Sequence, residues 1–131
     1  MLRVSTDLDA STEGLIHRII GCCITVHCEL GPGLIEQIYN RAVGVELQHC
    51  GIPFEREKRF PVRYRDKALY CHRLDLVVDG RVMLELKAVE RLHPVHQSQV
   101  LSCLRVSKLR ACLLINFNVA LLPQGIKRIV L

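Results

Sequence analysis

Three ionisable side chains stand inside a run otherwise suited to burial: Arg73-Leu74-Asp75-Leu76-Val77-Val78-Asp79-Gly80-Arg81-Val82-Met83-Leu84-Glu85-Leu86-Lys87. A lone carboxylate or ammonium among Leu and Val is costly unless it is paired or bound to a metal. Asp75, Glu85 and Lys87 are therefore expected to serve one another and a divalent cation. Residues 69–78 and 81–88 read as the strands of a β-hairpin around Asp79-Gly80. A two-residue turn would set Asp75 against Leu84 and turn Glu85 to the other face, because side chains alternate along a strand. A three-residue loop, Asp79-Gly80-Arg81 with Gly80 at positive φ, puts Asp75 across from Glu85 with Lys87 on the same face, so the odd-length loop is predicted. Directly opposed residues have Cβ atoms about 5 Å apart. Two carboxylates so placed can share Mg²⁺ or Mn²⁺, which favour oxygen ligands.

Asp75 followed on the next strand by Glu85-Leu86-Lys87 resembles the active-site signature of the PD-(D/E)XK nuclease superfamily, with Leu74 where the name has Pro. Gly33-Leu34-Ile35-Glu36-Gln37-Ile38-Tyr39 is similar to the motif that names the GxxExxY family within it. The resemblance continues through His96 and Gln99 into Leu114-Ile115-Asn116-Phe117 and Gly125-Ile126-Lys127-Arg128, and so covers nearly the whole chain. Cys103 stands where members often carry an aromatic residue, a departure that bears on packing. The resemblance implies an α/β fold with a restriction-endonuclease-like αβββαβ core, a mixed sheet flanked by helices, and an extra N-terminal helix. It also makes Glu36 a third carboxylate for the metal and brings Gln99 toward Lys87 and the attacking water. Read without it, Glu36 complements a helix macrodipole and Gln99 is a surface residue.

The elements that must position these residues can be read coarsely. Leu15, Ile16, Ile19, Ile20, Cys23 and Ile24 recur at helical spacing, with Ser11 or Thr12 as N-cap. Gly31-Pro32-Gly33 ends that helix, and a second is expected over residues 34–48, closed by Gly51-Ile52-Pro53. Residues 54–64 suit a long edge strand that tolerates Pro61. Pro94 suits the first turn of a helix running to about Arg105, and residues 111–117 and 126–130 suit final strands.

At 131 residues, half of them hydrophobic, the chain suits one domain over 1–131. The net charge of +5 suits a polyanionic partner, DNA or RNA, and basic residues crowd Arg56, Lys58, Arg59, Arg63, Arg65 and Lys67. Glu55, Glu57 and Asp66 interleave with them, as on a solvated strand face. Three Tyr, three Phe and no Trp argue for contact with the backbone over base stacking. The polar N-terminus and the lack of a long apolar run predict a cytoplasmic protein with no signal peptide or membrane span. Seven cysteines, with Cys22, Cys23 and Cys28 at helical spacing, read as reduced core thiols. His93 and His96 read as helix-start residues, whereas His17, His27, His49 and His72 have no evident partner.

Cleavage of a phosphodiester needs a water of lowered pKa and an offset for the charge that builds on phosphorus oxygens. On the family resemblance Asp75, Glu85 and Glu36 hold Mg²⁺ or Mn²⁺, Lys87 orients water or neutralises a phosphate oxygen, Gln99 positions the water, and the products carry a 5′-phosphate and a 3′-hydroxyl. The alternative is a nuclease-fold module that binds nucleic acid or protein without cleaving. A chain this small offers little surface for specificity, and a homodimer would extend it.

Overall fold

The computed structural model describes residues 7–131; the polar N-terminus read as lacking a signal peptide lies partly outside these residues. Helix α1 (Ala10–Leu30) buries Leu15, Ile16, Ile19 and Cys23, as the spacing predicts, together with Cys22 and Val26, while Ile20 and Ile24 are half-buried at the margin of that face. Its N-cap is Asp9, whose carboxylate accepts from the Thr12 backbone N at 2.8 Å, and not Ser11 or Thr12. An aspartate one turn earlier is as good a cap, and it releases Ser11 Oγ to accept from Arg81 at 2.8 Å. Cys28, expected in the core, is exposed, because it falls off the buried stripe. Gly31, at φ 69°, ends the helix.

Helix α2 (Glu36–His49) begins two residues later than expected, since Ile35 is extended at φ −74°, ψ 153°. Strands β1 (Phe54–Tyr64), β2 (Lys67–Val78) and β3 (Val82–Lys87) form a meander, followed by α3 (Pro94–Ser107), β4 (Ala111–Asn116), a short 3₁₀ turn (Leu122–Gly125) and β5 (Ile126–Val130). The sheet order is β1-β2-β3-β4-β5, with β3 and β4 parallel and the other neighbours antiparallel. The mixed sheet flanked by helices, with one additional N-terminal helix, is the expected architecture. The parallel pair needs a crossover, which α3 supplies.

Two apolar clusters hold the layers. Leu76, Val78, Val82, Leu84, Leu86, Leu113 and Ile115 pack with α1 and α2, while Val77, Met83, Cys112 and Leu114 pack with Val100 and Leu104 of α3. β4 is buried at every position because it is covered on both faces and paired on both edges. Pro61 lies in β1, at the sheet edge, where an absent N–H costs little. Among the described residues no helix is long and apolar enough to cross a membrane.

Candidate active site

The hairpin has the odd-length loop. Val78 pairs with Val82, leaving 79–81 as the connection, and the Arg81 N donates to the Val78 carbonyl at 3.0 Å. Gly80 has φ 64°, and Asp79 shares the left-handed region at φ 51°. The register continues through Leu76↔Leu84 and points Asp75 toward Glu85, but the ladder stops at Leu76↔Leu84. On the other side of β2, Arg56 pairs with Leu76 and Lys58 with Leu74, while the intervening Glu57 sits at φ 54°. Regular pairing therefore lapses on both sides of Asp75.

The lapse turns the chain. Leu74 packs in the α3-side cluster and Leu76 in the α1/α2-side cluster, whereas strict alternation would put both on one face. Asp75, at the turning point, opens into a cleft of about 520 Å³ with Glu36, Asn40, Arg56, Glu57 and Arg73. Glu85 and Lys87 open on the α3 side, into a cleft of about 250 Å³ with Tyr70, His72, His96 and Gln99. Arg73 lines both. The expectation of one shared face thus holds for Glu85 and Lys87 and needs correcting for Asp75, which lies at the boundary between the clefts.

The charges still act on one another. Lys87 Nζ lies 3.5 Å from Glu85 Oε1, and Arg73 lies 3.8 Å from Glu57 and 4.0 Å from Asp75. Burial pushes the Glu85 carboxyl up to about 7; the Asp75 charge pushes the same way, Lys87 opposes it, and Glu36 adds a smaller push. Burial also raises the Cys103 and Cys112 thiols, with the Glu85 charge adding to each. Among the described residues, no three His, Cys, Asp or Glu side chains converge into a ready metal cage. Glu36, Asp75 and Glu85 are instead a spread set of hard oxygen donors in adjoining clefts. One further oxygen belongs with them: Asn40 Oδ1, one helical turn beyond Glu36, is buried without a hydrogen-bond partner. An unsatisfied buried acceptor beside carboxylates fits a cation or its bound water.

The residues around Glu36 have structural reasons of their own. Gly33 has φ 100°, which L side chains rarely adopt. Tyr39 is fully buried, stacks on Phe117 at 4.6 Å, donates to the Gly31 carbonyl at 2.6 Å and accepts from the Leu34 N at 3.1 Å. Its hydroxyl thereby pins the loop whose end is the first residue of α2, Glu36. The apolar neighbours of Glu36, Ile35 and Ile38, are 63% and 41% exposed.

A second brace follows Lys87. Asn116 is buried, accepts from the Val89 N at 3.1 Å and donates to the Val89 carbonyl at 2.8 Å, and the Phe117 N donates to the Lys87 carbonyl at 2.8 Å. His93 and His96 close a capping box on α3: His96 Nδ1 accepts from the His93 N, and His93 Nδ1 from the Val95 N. These imidazoles serve the helix start, as their position beside Pro94 suggests. Gln99, three residues on, is exposed at the rim of the Glu85 cleft.

Sequence reasoning did not place Asn40, Tyr70, His72 or Arg73 in the clefts, and read Arg56 only as one of a run of basic residues. Asn40 was findable, standing four residues after Glu36 on the same helix face. Arg56 was not, because its guanidinium reaches the Asn40 carbonyl at 3.2 Å by crossing Gly44, where a Cβ would meet it. His27 and His72 do have partners, the Val119 carbonyl at 2.8 Å and Ser102 Oγ at 3.3 Å. The family model of the PD-(D/E)XK nuclease superfamily matches residues 13–129, and the α2-β1-β2-β3-α3-β4 order with its mixed sheet accords with a restriction-endonuclease-like fold. No curated protein and no solved structure matches the chain.

Proposed function

Because the chain belongs to the PD-(D/E)XK nuclease superfamily, we propose that it is a nuclease of the GxxExxY group that hydrolyses phosphodiester bonds in DNA or RNA with Mg²⁺ or Mn²⁺. The observation that carries this reading is the half-buried Glu85 with Lys87 Nζ 3.5 Å from it, its carboxyl pushed up by burial and by the Asp75 charge. Such an arrangement is unfavourable on its own and is relieved by a cation.

Asp75, Glu85 and Glu36 would hold the ion, with Asn40 Oδ1 as a further oxygen for it or its water. Bound there, a divalent cation lowers the pKa of a water and offsets negative charge on the phosphate. Lys87 lines the α3-side cleft, where its side chain would orient water or meet a phosphate oxygen. Gln99 at the rim offers an amide that both accepts from and donates to that water. Arg73 and Arg56 attract the phosphate and hold it over Asp75. A cytoplasmic setting and a homodimer belong to the same reading: the first suits free cysteines, the second extends a small contact surface.

The test pairs two readouts. Single-stranded and duplex DNA and RNA are incubated with Mg²⁺ or Mn²⁺ and wild type, Asp75→Asn, Glu85→Gln or Lys87→Ala; cleavage is expected in wild type, falling at least about a hundredfold in each variant. Thermal unfolding under the same metal titration is expected to rise for wild type and stay flat for Asp75→Asn and Glu85→Gln. Retained nucleic-acid binding with neither cleavage nor a metal-dependent rise would assign the chain to a non-cleaving binding module.

A further inference from the structure

The outer part of the β1–β2 hairpin concentrates positive charge. Residues 58–73 carry Lys58, Arg59, Arg63, Arg65, Lys67 and Arg73 against a single acid, Asp66, a net of +5 that equals the formal charge of the whole chain, so the rest is balanced. These residues form the outer part of the β1–β2 hairpin, whose tip turns through Arg65 and Asp66 at positive φ. Every residue over 63–71 is exposed. Lys58 pairs with Glu55, and Arg73 with Glu57 and Asp75; among the described residues, Arg59, Arg63, Arg65 and Lys67 make no salt bridge. Arg59 stands directly across from Arg73 in the ladder. Like charges so placed repel. An anion lying over the pair would offset that repulsion by attracting both guanidinium groups.

The arm also carries apolar rings. Two of the chain's three tyrosines, Tyr64 and Tyr70, are on it, 63% and 67% exposed, with Leu69 at 65% between them. The Arg65 guanidinium lies 5.7 Å from the Tyr64 ring centroid, and Tyr70 meets His72 edge-on at 5.6 Å. Tyr70, His72 and Arg73 in turn line the cleft of Glu85 and Lys87, so the arm runs without a break into the carboxylates. The low aromatic count favoured backbone contact over base stacking; the fold gathers two exposed rings on this basic hairpin.

We propose that the β1–β2 hairpin is a binding arm for a single-stranded polynucleotide segment, holding its phosphates along Arg59, Arg63, Arg65 and Lys67 and its unpaired bases against Tyr64 and Tyr70, and leading it to the Glu85 cleft. A basic track interleaved with exposed aromatic rings is what an unpaired strand requires. A duplex offers the same phosphates but keeps its base faces stacked inside, and an acidic protein surface offers charge without flat rings. The inference rests on the nuclease reading for the fate of the strand, whereas the binding step stands alone.

Binding is measured in EDTA, so that cleavage plays no part, by fluorescence anisotropy of a labelled oligothymidylate and of a duplex of equal length over a range of salt concentrations. Wild type is expected to bind the single strand more tightly than the duplex. Replacing Arg59, Arg63, Arg65 and Lys67 together by Gln is expected to lower the salt slope for the single strand by about 3. Tyr64→Ala is expected to weaken single-strand binding about tenfold and leave duplex binding unchanged. These side chains are exposed, and unchanged thermal unfolding of the variants will establish that they fold. Tighter duplex binding, an unchanged salt slope, or competition by polyglutamate equal to that by unlabelled oligothymidylate would overturn the inference, the last assigning the arm to an acidic protein. The two readings fail separately. Arm-dependent binding without cleavage in any metal overturns the nuclease reading alone, while metal-dependent cleavage with affinity indifferent to the arm variants overturns the arm alone.

Discussion

Glu85 ties stability to pH in a direction opposite to most carboxylates. Its folded pKa is raised from the ordinary 4.5 to about 7, so between these values the native state holds a proton that the unfolded chain has released. Without metal, stability is therefore undiminished by this group below about pH 4.5, falls as pH rises toward 7, and is lower by about 3 kcal/mol above it. Glu85→Gln, neutral and of the same shape, should remove that slope. Urea unfolding in EDTA is expected to find the variant increasingly more stable than wild type from pH 5 to 8, with the difference reversing when metal is added. A wild-type stability that rises with pH over this window, in parallel with the variant, would contradict the burial argument. Tyr39 acts on a different quantity. Its hydroxyl makes two hydrogen bonds inside the core, so Tyr39→Phe should cost about 1–3 kcal/mol in urea unfolding while also freeing the loop that positions Glu36. If the variant unfolds like wild type, the hydroxyl is not the brace described.

The elements that read best from sequence were those with a strong local signal. The 54–64 and 126–130 strands appear at the expected bounds because apolar patterning and flanking Gly and Pro mark them. The three-residue loop was legible because only one register lets Asp75 face Glu85. The turn at Asp75 was not, since it arises from an irregularity at Glu57 on the neighbouring strand and leaves no trace near Asp75 itself. Nor was the Arg65-Asp66 turn, whose two positive-φ residues lack the usual Asn-Gly. Close backbone approaches are equally silent in sequence. A Cβ on Gly125 would lie 2.1 Å from the Asn116 carbonyl oxygen, and neither backbone can swing aside as a side chain can. Gly125→Ala is therefore expected to destabilise by about 2 kcal/mol or more, pushing on the strand end where Asn116 holds the segment after Lys87. Gly44→Ala is the comparison: its Cβ meets the far end of the Arg56 side chain and, at an ordinary 3.4 Å, the Phe54 ring, so its effect on unfolding should be much smaller. Equal costs at the two positions would show that the approach at Gly125 is not rigid.

Across the whole molecule, burial and charge are divided between two regions. β3 and β4 lie inside the sheet, covered by α1 and α2 on one face and α3 on the other, and carry Glu85, Lys87 and Asn116 on strands that open only with the core. The outer β1–β2 hairpin has both edges unpaired, no covering helix over 63–71, and a net charge equal to that of the whole chain. A local opening that frees the hairpin loses little apolar burial, whereas one that frees β4 loses both clusters. Hydrogen exchange should resolve the difference: β4 amides are expected to exchange only through global unfolding, with the full urea dependence of that transition, and the hydrogen-bonded amides of the outer hairpin through openings with almost none. Mutual repulsion of the arm's cations adds to this, so raising salt should slow exchange in the hairpin more than in β4. An added oligothymidylate should slow it further there, and leave β4 unchanged except through the shift in global stability that ligand binding brings. Hairpin amides that exchange as slowly as β4, with the same urea dependence, would mean that the arm is part of the cooperative core and that its charge is held by contacts stronger than its exposure allows.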